Sequence, residues 1–226
     1  MGYSPHNLKT NAELVRYLVD KGILVSKPLI KAFEEIDRQD FVVPSERKNA
    51  YRDYPLPIGY GQTISQPSTI AFMLELLKPQ KGEKILDLGS GSGRTSALLS
   101  KVVGATGHVY GVEIIPELVE RGRKNLEKYH LSQATILPAG KEYGLPEQAP
   151  FDKILVSAAG SEVPLSLLKQ LKTGGLMVIP IKNSLLRLQK ISDQKILTEE
   201  YPGFVFVPLV NPEQRRPRRQ YRWQMF

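Results

Sequence analysis

One short stretch decides the fold of this chain: Ile85-Leu86-Asp87-Leu88-Gly89-Ser90-Gly91-Ser92-Gly93-Arg94-Thr95. An apolar run ends in an acid, three glycines follow at alternate positions, and a helical pattern begins behind them. Glycine suits such a turn because its backbone adopts positive φ and because no side chain keeps a ligand away from the backbone. A strand, a tight glycine turn and a helix N-terminus together predict a site for a nucleotide cofactor.

A second acid supports this interpretation. Glu113 closes the apolar run 109–112 and lies 20 residues after Gly93. At about this distance, an acid that ends the second strand can accept hydrogen bonds from both ribose hydroxyls of a nucleotide. The alternative is a glycine-rich structural turn with a solvated glutamate after a strand. Asp87 before the turn and Glu113 after it favour the cofactor site.

Composition bounds the possible classes of protein. The chain has 226 residues, 41% of them hydrophobic, which suits one large domain or a domain with an appended subdomain. No run approaches the roughly 18 apolar residues of a membrane span, and the first ten residues lack the apolar core of a secretory signal. There are no cysteines, which excludes disulfides, cysteine nucleophiles and thiolate metal sites. We therefore expect a cytoplasmic protein that does not enter the membrane.

The positive charge is concentrated at the C-terminus. The net charge is +8, and the segment 211–226 carries five arginines against the single acid Glu213. A basic segment with aromatic residues can bind nucleic acid or an acidic partner. The favoured interpretation is a solvated or locally docked tail, so nucleic acid is not the expected partner. The histidines His6, His108 and His130 show no metal-binding spacing, and no metal site is predicted.

Periodicity predicts the fold class. Helices are expected over 11–21, 26–36 and 67–77, with a long loop over 51–67 between the second and third. Strands and helices then alternate, which is typical of a parallel sheet covered on both faces. The segments 185–191, 196–200 and 204–209 read as further strands at an antiparallel edge. The prediction is an α/β protein with a doubly wound, mostly parallel, seven-stranded Rossmann-like sheet. Its parts are an N-terminal helical segment with the long loop (1–66), the main domain (67–210) and the basic tail (211–226).

Several stretches together resemble the protein-L-isoaspartate O-methyltransferase family. The spacing Gly89, Gly91, Gly93 is similar to the first motif of class I methyltransferases, which bind S-adenosylmethionine. The segment 55–67, Pro-Leu-Pro-Ile-Gly-Tyr-Gly-Gln-Thr-Ile-Ser-Gln-Pro, resembles the substrate loop of the family and is its more specific feature. The segments 111–118, 149–159, 171–180 and 206–209 resemble later family motifs. The resemblance covers about residues 11–210 and implies the methyltransferase form of the Rossmann-like sheet.

The resemblance implies a repair reaction. A methyl group passes from S-adenosylmethionine to the free α-carboxylate of L-isoaspartyl residues in damaged proteins and peptides, and the ester then leaves through a succinimide. Hydroxyl groups suit carboxylate binding, so Ser65 and Thr63 are the candidate catalytic residues. For Ser65, the alternative role is to cap the helix that starts at Pro67. The candidate substrate-binding residues are Ile64, Gln66, Ser157 and Ala158. The candidate cofactor-binding residues are Asp87, Gly89, Ser90, Gly91, Gly93, Glu113, Ala139 and Gly140. We expect a monomer.

The sequence departs from the family pattern at two points. The family commonly has Gly-Asp-Gly after the third strand, where the aspartate accepts the adenine amino group, but this chain has Ala139 and Gly140 there. Losing such a bond costs about 1.5–3 kcal/mol of affinity unless backbone groups or Glu142 replace it. Arg94 stands where the family often has an aromatic residue. Two alternative functions stay open at this point: a methyltransferase for another acceptor such as RNA, and a non-catalytic cofactor-binding module.

Overall fold

The computed structural model describes residues 7–210, so the arginine-rich segment 211–226 and His6 lie outside the described residues. Over this range the helices and strands are, in chain order, α1 (Asn11–Asp20), α2 (Lys27–Glu35), β1 (Leu56–Gly59), β2 (Gln62–Ile64), α3 (Pro67–Leu77), β3 (Lys84–Leu88), α4 (Arg94–Val103), β4 (His108–Glu113), α5 (Pro116–Lys128), β5 (Ala134–Pro138), β6 (Phe151–Val156), α6 (Leu165–Gln170), β7 (Leu171–Ile181), β8 (Ser184–Ser192) and β9 (Lys195–Pro202).

The main sheet has seven strands in the order β5-β4-β3-β6-β7-β8-β9. The first five in this order run parallel, and β8 and β9 extend the sheet as antiparallel strands. Strand β3 is the middle strand of the five parallel ones, and its Ile85 and Leu86 are fully buried, as expected for a strand covered on both faces. The predicted fold class is therefore confirmed. The strand order reverses between β3 and β6, and open α/β sheets bind ligands beyond the carboxyl ends of the strands at such a point.

The N-terminal helices share one hydrophobic core with one side of the sheet. Helix α2 packs against α4, and its N-terminus is held by α3: Glu75 accepts hydrogen bonds from the N–H groups of Val25 and Ser26, both at 2.8 Å. An acid at a helix N-terminus satisfies donors that have no partner within the helix. The N-terminal segment is thereby fixed to the element that follows the predicted substrate loop.

The segment 51–67 is more ordered than predicted. We expected a loop, but β1 and β2 form an antiparallel hairpin with Leu56 opposite Ile64. Its two central turn residues, Tyr60 and Gly61, have φ of 57° and 72°, as in the type I′ turn that matches the twist of paired strands. The density of proline and glycine concealed this hairpin, because both residues are rare in longer strands.

The prediction of a strand over 204–209 is wrong. Strand β9 ends at Pro202, and Gly203 at φ 95° turns the chain back toward the sheet. A single parallel bridge then joins Pro208 to Ala159, with hydrogen bonds from Ala159 N–H to Val207 and from Leu209 N–H to Ala159, both 2.8 Å. The next residue, Gly160, bridges to Ile181 of β7 instead, so the pairing does not extend into a strand.

Candidate functional site

A cavity lies at the carboxyl ends of β3, β4 and β6, where the strand order reverses. The space that it encloses is about 990 Å³, part of it open to solvent. The walls come from the glycine turn, the hairpin with the β2–α3 connection, the ends of β4 and β6, the segment after β5, and residues 207–210. The cavity therefore joins the two stretches that the sequence singled out.

Most of the predicted site residues line this cavity. Those that do are Thr63, Ile64, Ser65, Gly89, Ser90, Gly91, Glu113, Ala139, Ser157 and Ala158. Four predicted residues are absent from its lining. Gln66 borders an adjoining groove, Asp87 lies beneath the turn, Gly93 starts α4, and Gly140 is exposed.

The glycine turn is fixed by backbone contacts. Gly89, Gly91 and Gly93 all have positive φ, and the N–H groups of Gly89 and Ser90 donate to the Val112 carbonyl at 2.8 and 3.1 Å. A Cβ atom on Gly93 would lie 2.9 Å from Ile136 Cδ1 and 3.1 Å from the Cα atom of Gly122. Gly93 thus serves close packing between α4 and α5, whereas Gly89 and Gly91 keep the cavity wall free of side chains.

Glu113 is held in place by three backbone N–H groups. One carboxylate oxygen accepts from Gly91 at 2.9 Å, and the other accepts from Ile114 at 2.8 Å and Ile115 at 2.9 Å. The side chain is 6% exposed and faces the cavity. One carboxylate therefore connects the glycine turn to the start of α5 and can still accept a hydrogen bond from a ligand.

Asp87 is a fully buried carboxyl below the turn. Its Oδ2 accepts a 2.6 Å hydrogen bond from Ser96 Oγ, and its Oδ1 has no partner within residues 7–210. Burial raises the pKa of Asp87 to about 7, against the smaller lowering effect of the Ser96 bond. A nearby positive charge would favour the ionised form, because an opposite charge stabilises a carboxylate.

The hairpin and the start of α3 form the opposite wall. Ile64 is buried, Ser65 is partly buried and Thr63 is exposed. Gln66 holds the N-cap position of α3 without a side-chain cap bond. Asp53 supplies that contact by accepting from the Ser68 N–H at 2.8 Å. The hydroxyl of Ser65 is therefore not required to cap the helix.

Buried hydroxyls without partners mark the cavity wall. The Oγ atoms of Ser90 and Ser157 are buried, and neither has a hydrogen-bond partner in the described part of the chain. Most buried polar groups in folded proteins are paired, so an orphan at a cavity indicates a site completed by a ligand. A polar molecule bound between the glycine turn and the end of β6 would satisfy both.

The segment after β5 brings an acid to the site despite Ala139. Ala139 lines the cavity and donates its N–H to the Glu113 carbonyl at 2.8 Å. Glu142 and Tyr143 also line it. The carboxylate of Glu142 is exposed, which makes it available to a ligand donor. The sequence indicated Glu142 as a possible replacement for the missing aspartate, and Glu142 lines the cavity.

Arg94 is the least expected residue of the lining. It is 2% exposed, and its guanidinium lies 5.0 Å from the ring centroid of Phe33 in α2. Its three nitrogens have no hydrogen-bond partner among residues 7–210. Burial lowers the pKa of Arg94 to about 10, although Asp37 and Tyr129 favour its charged form. It is therefore a buried cation stabilised by a ring face and by distant charges.

Sequence reasoning missed other parts of the lining. Ile58 and Ile70 also line the cavity, although they were not named as site residues. Residues 207–209 line it too but were assigned to a strand, and Val210 was not singled out. No group of three or more metal-binding side chains occurs within residues 7–210. Over the same range, no helix is long and apolar enough to cross a bilayer.

Proteins of known family are similar to this chain over most of its length. The family model for protein-L-isoaspartate(D-aspartate) O-methyltransferase matches residues 9–214. A protein-L-isoaspartate O-methyltransferase from Ignicoccus hospitalis is 41% identical over 206 residues, covering 89% of this chain and 97% of that protein. The Aeropyrum pernix protein of the same name is 43% identical over 219 residues, covering 93% of this chain and 84% of that protein.

Two solved structures have the same fold as this chain. A protein-L-isoaspartate O-methyltransferase structure matches with a TM-score of 0.80 and 29% identity, covering 89% of this chain, which spans 66% of that one. A Plasmodium falciparum structure in complex with S-adenosyl-L-homocysteine shares the fold, with a TM-score of 0.80 and 24% identity, covering 90% of this chain and all of that one. The chain therefore belongs to the protein-L-isoaspartate(D-aspartate) O-methyltransferase family.

Proposed function

We propose that this chain transfers a methyl group from S-adenosylmethionine to the free α-carboxylate of L-isoaspartyl residues in proteins and peptides. The observation that carries the proposal is a shared cavity. Thr63 and Ser65 line the same cavity as the glycine turn and Glu113. Our candidate carboxylate site and our candidate cofactor site therefore share one cavity, which supports methyl transfer between their ligands.

The residues present fit the cofactor. The turn at Gly89–Gly91 leaves the backbone accessible, and Glu113 offers an acceptor for ribose hydroxyls. Glu142 is our candidate acceptor for the adenine amino group in place of an acid at Ala139, and Asp87 provides a buried carboxyl below the turn. When bound, S-adenosylmethionine supplies a methyl group on a sulfonium that already carries its leaving group.

The acceptor needs positioning rather than activation. A carboxylate is ionised at pH 7, so the chain requires no general base. Ser65 and Thr63 are our candidates to donate hydrogen bonds to it, while the buried Ile64 excludes water beside them. Ser157 and Ala158 close the third side with small side chains, which leave room for the acceptor. Holding two reactants in line can lower a barrier by about 7–11 kcal/mol in favourable cases.

Methyl transfer to a matched pair of peptides tests the proposal. One peptide contains isoaspartate, the other normal aspartate, and the methyl group of S-adenosylmethionine is labelled. We expect base-labile methyl ester on the isoaspartyl peptide alone. Transfer to neither peptide, with the cofactor still bound, would overturn the acceptor assignment, and RNA would be tested next. Absence of both transfer and binding heat with S-adenosylhomocysteine would favour a non-catalytic module.

Two variants test the individual roles. Ser65→Ala should lower turnover while the cofactor dissociation constant stays near wild type, since Ser65 is assigned to the acceptor. Glu142→Gln should weaken S-adenosylhomocysteine binding by about 1 kcal/mol, because the amide oxygen still accepts a hydrogen bond but carries no charge. Unchanged turnover removes Ser65 from the site, and an unchanged dissociation constant removes Glu142.

Cytoplasmic location and a monomeric state are further parts of the proposal. Cell fractionation tests the first, and light scattering coupled to size-exclusion chromatography tests the second. The segment 211–226 is not assigned a role here, because the favoured acceptor is a carboxylate and not a nucleic acid.

A further inference from the structure

Arg38 is a buried cation that no part of the proposed reaction uses. It follows α2 in a short 3₁₀ helix (Arg38–Phe41), and its relative exposure is 0%. Burial and the nearby Arg94 lower the pKa of Arg38 to about 9, while Asp53 and Tyr54 favour its charged form. The side chain is therefore charged at neutral pH, inside the protein.

Two of its three guanidinium nitrogens, Nη1 and Nη2, donate to backbone carbonyls, whereas the buried Nε has no hydrogen-bond partner among residues 7–210. Nη1 donates to Ala50 at 2.6 Å and, at a longer 3.4 Å, to Arg52. Nη2 donates to Tyr54 at 3.1 Å. The planar, rigid array of donors on an arginine allows one side chain to hold several carbonyls at fixed angles. Arg38 thus fixes the chain that leads into the hairpin.

The same nitrogen reaches the predicted catalytic segment. Nη2 donates to the carbonyl of Ser65 at 3.1 Å and, at a longer 3.5 Å, to that of Ile64. Because Nη2 carries two N–H groups and also donates to Tyr54, one of these N–H groups is shared between two carbonyls. The two carbonyls belong to consecutive peptide units on either side of the Ser65 Cα atom. Their orientation sets the direction in which the Ser65 side chain leaves the backbone. Asp53 holds the next residues from the other side through Gln66 and Ser68.

We propose that Arg38 is a positioning residue, which orients the hydroxyl of Ser65 toward the acceptor carboxylate by clamping the Ile64 and Ser65 carbonyls. This inference rests on the proposed function of Ser65. A hydroxyl without a strong partner of its own depends on its backbone for direction. A misplacement of about 1 Å in an active site can cost about a hundredfold in rate. The clamp therefore matters for rate and not only for folding.

Hydrogen exchange tests the clamp without reference to catalysis. We would compare the wild type with Arg38→Lys, Arg38→Met and the control Lys190→Met by mass spectrometry, below the onset of unfolding. Lys190 is also a buried cation that donates to two carbonyls, those of Leu168 and Leu171, but it lies far along the sheet. The Arg38 variants should speed exchange in peptides that span 60–66 by about tenfold, and Lys190→Met should not. Equal exchange in this segment for all four proteins would overturn the clamp.

A double-mutant cycle tests its consequence for the reaction. Arg38→Lys and Ser65→Ala should each lower kcat/KM for the isoaspartyl peptide by about tenfold or more, and the double variant should lose little beyond the worse single one, as for residues that act as a unit. Losses that multiply would overturn positioning through Ser65. The affinity for S-adenosylhomocysteine should stay within about threefold of wild type in Arg38→Lys, since the clamp acts on the acceptor side. If Ser65→Ala alone has no effect, the assignment of Ser65 fails, and exchange still decides whether Arg38 holds the segment.

Discussion

Replacing Asp87 with asparagine should change how the stability of the fold depends on pH. Asp87 is fully buried, and burial raises its pKa to about 7 from an ordinary value of 3.8. The folded state therefore binds a proton more tightly than the unfolded state. The contribution of Asp87 to the unfolding free energy is therefore largest below the unfolded pKa of about 4. It falls as pH rises from about 4 to 7, because over this range the folded state binds more protons than the unfolded state, and it is constant above pH 7. The amide of the Asp87→Asn variant would not titrate and would keep an acceptor for Ser96.

The size of the effect follows from the shift. Each pKa unit corresponds to about 1.4 kcal/mol, so between pH 5 and pH 8 the wild type should lose about 2–3 kcal/mol of unfolding free energy through this carboxyl alone. Subtracting the unfolding free energy of the wild type from that of Asp87→Asn at each pH removes the contributions of the other titrating groups, which both proteins share. This difference should therefore shift by the same amount in favour of the variant as pH rises.

Urea denaturation of the ligand-free proteins at pH 5, 6, 7 and 8 measures this difference. Asp152→Asn is the matched control. Burial raises the pKa of Asp152, but hydrogen bonds from Lys172 and from the Lys84 N–H together outweigh burial and bring the pKa below the ordinary value. Its contribution is lost only as pH falls through that lowered value, so its difference from the wild type should be flat over this range. A flat difference for Asp87→Asn as well would refute the assignment of a raised pKa to the buried carboxyl.

Three further changes have definite expected outcomes. Gly122→Ala places a Cβ atom 2.5 Å from Ile136 Cδ1, so it should destabilise the fold by about 1–3 kcal/mol in thermal or urea unfolding, although alanine has the better helix propensity. The double variant Gly122→Ala with Ile136→Val should recover part of this stability. If the single and double variants lose the same stability, this contact is not the cause of the loss. Glu113→Gln should weaken S-adenosylhomocysteine binding in calorimetry by about 1 kcal/mol or more. The reason is that an amide is a weaker acceptor than a carboxylate, both for the backbone N–H groups of Gly91, Ile114 and Ile115 and for the ribose hydroxyls. An unaltered dissociation constant would refute the ribose assignment. Arg94→Met should raise the unfolding free energy by about 1–3 kcal/mol, because it removes a buried guanidinium without hydrogen-bond partners in the described chain. A lower unfolding free energy would show instead that the contact of the guanidinium with the Phe33 ring outweighs the cost of removing its charge from water.

The sequence predicted the sheet and the glycine turn because both depend on local signals. Apolar runs at strand spacing and glycines at fixed intervals report directly on the backbone. The hairpin within 51–67 was missed, since its strands are three and four residues long and contain two glycine or proline positions that usually end strands. The segment 204–209 looked like a strand because apolar residues dominate it. What the sequence did not indicate is the packing between distant segments, such as Arg38 with Ser65 or Arg94 with Phe33.

The strand order has a consequence for how the protein folds. Strand β3 pairs with β4, which follows it closely in sequence, and with β6, which lies more distant in sequence. Parallel strands that are far apart in sequence pair slowly, because the chain loses the entropy of closing the intervening loop before the stabilising contacts between the strands form. The cavity wall at Ser157 and the closing residues 207–210 arrive later still along the chain. We expect the binding site to form in the last steps of folding, so that ligand binding reports the complete native state rather than a partly folded half.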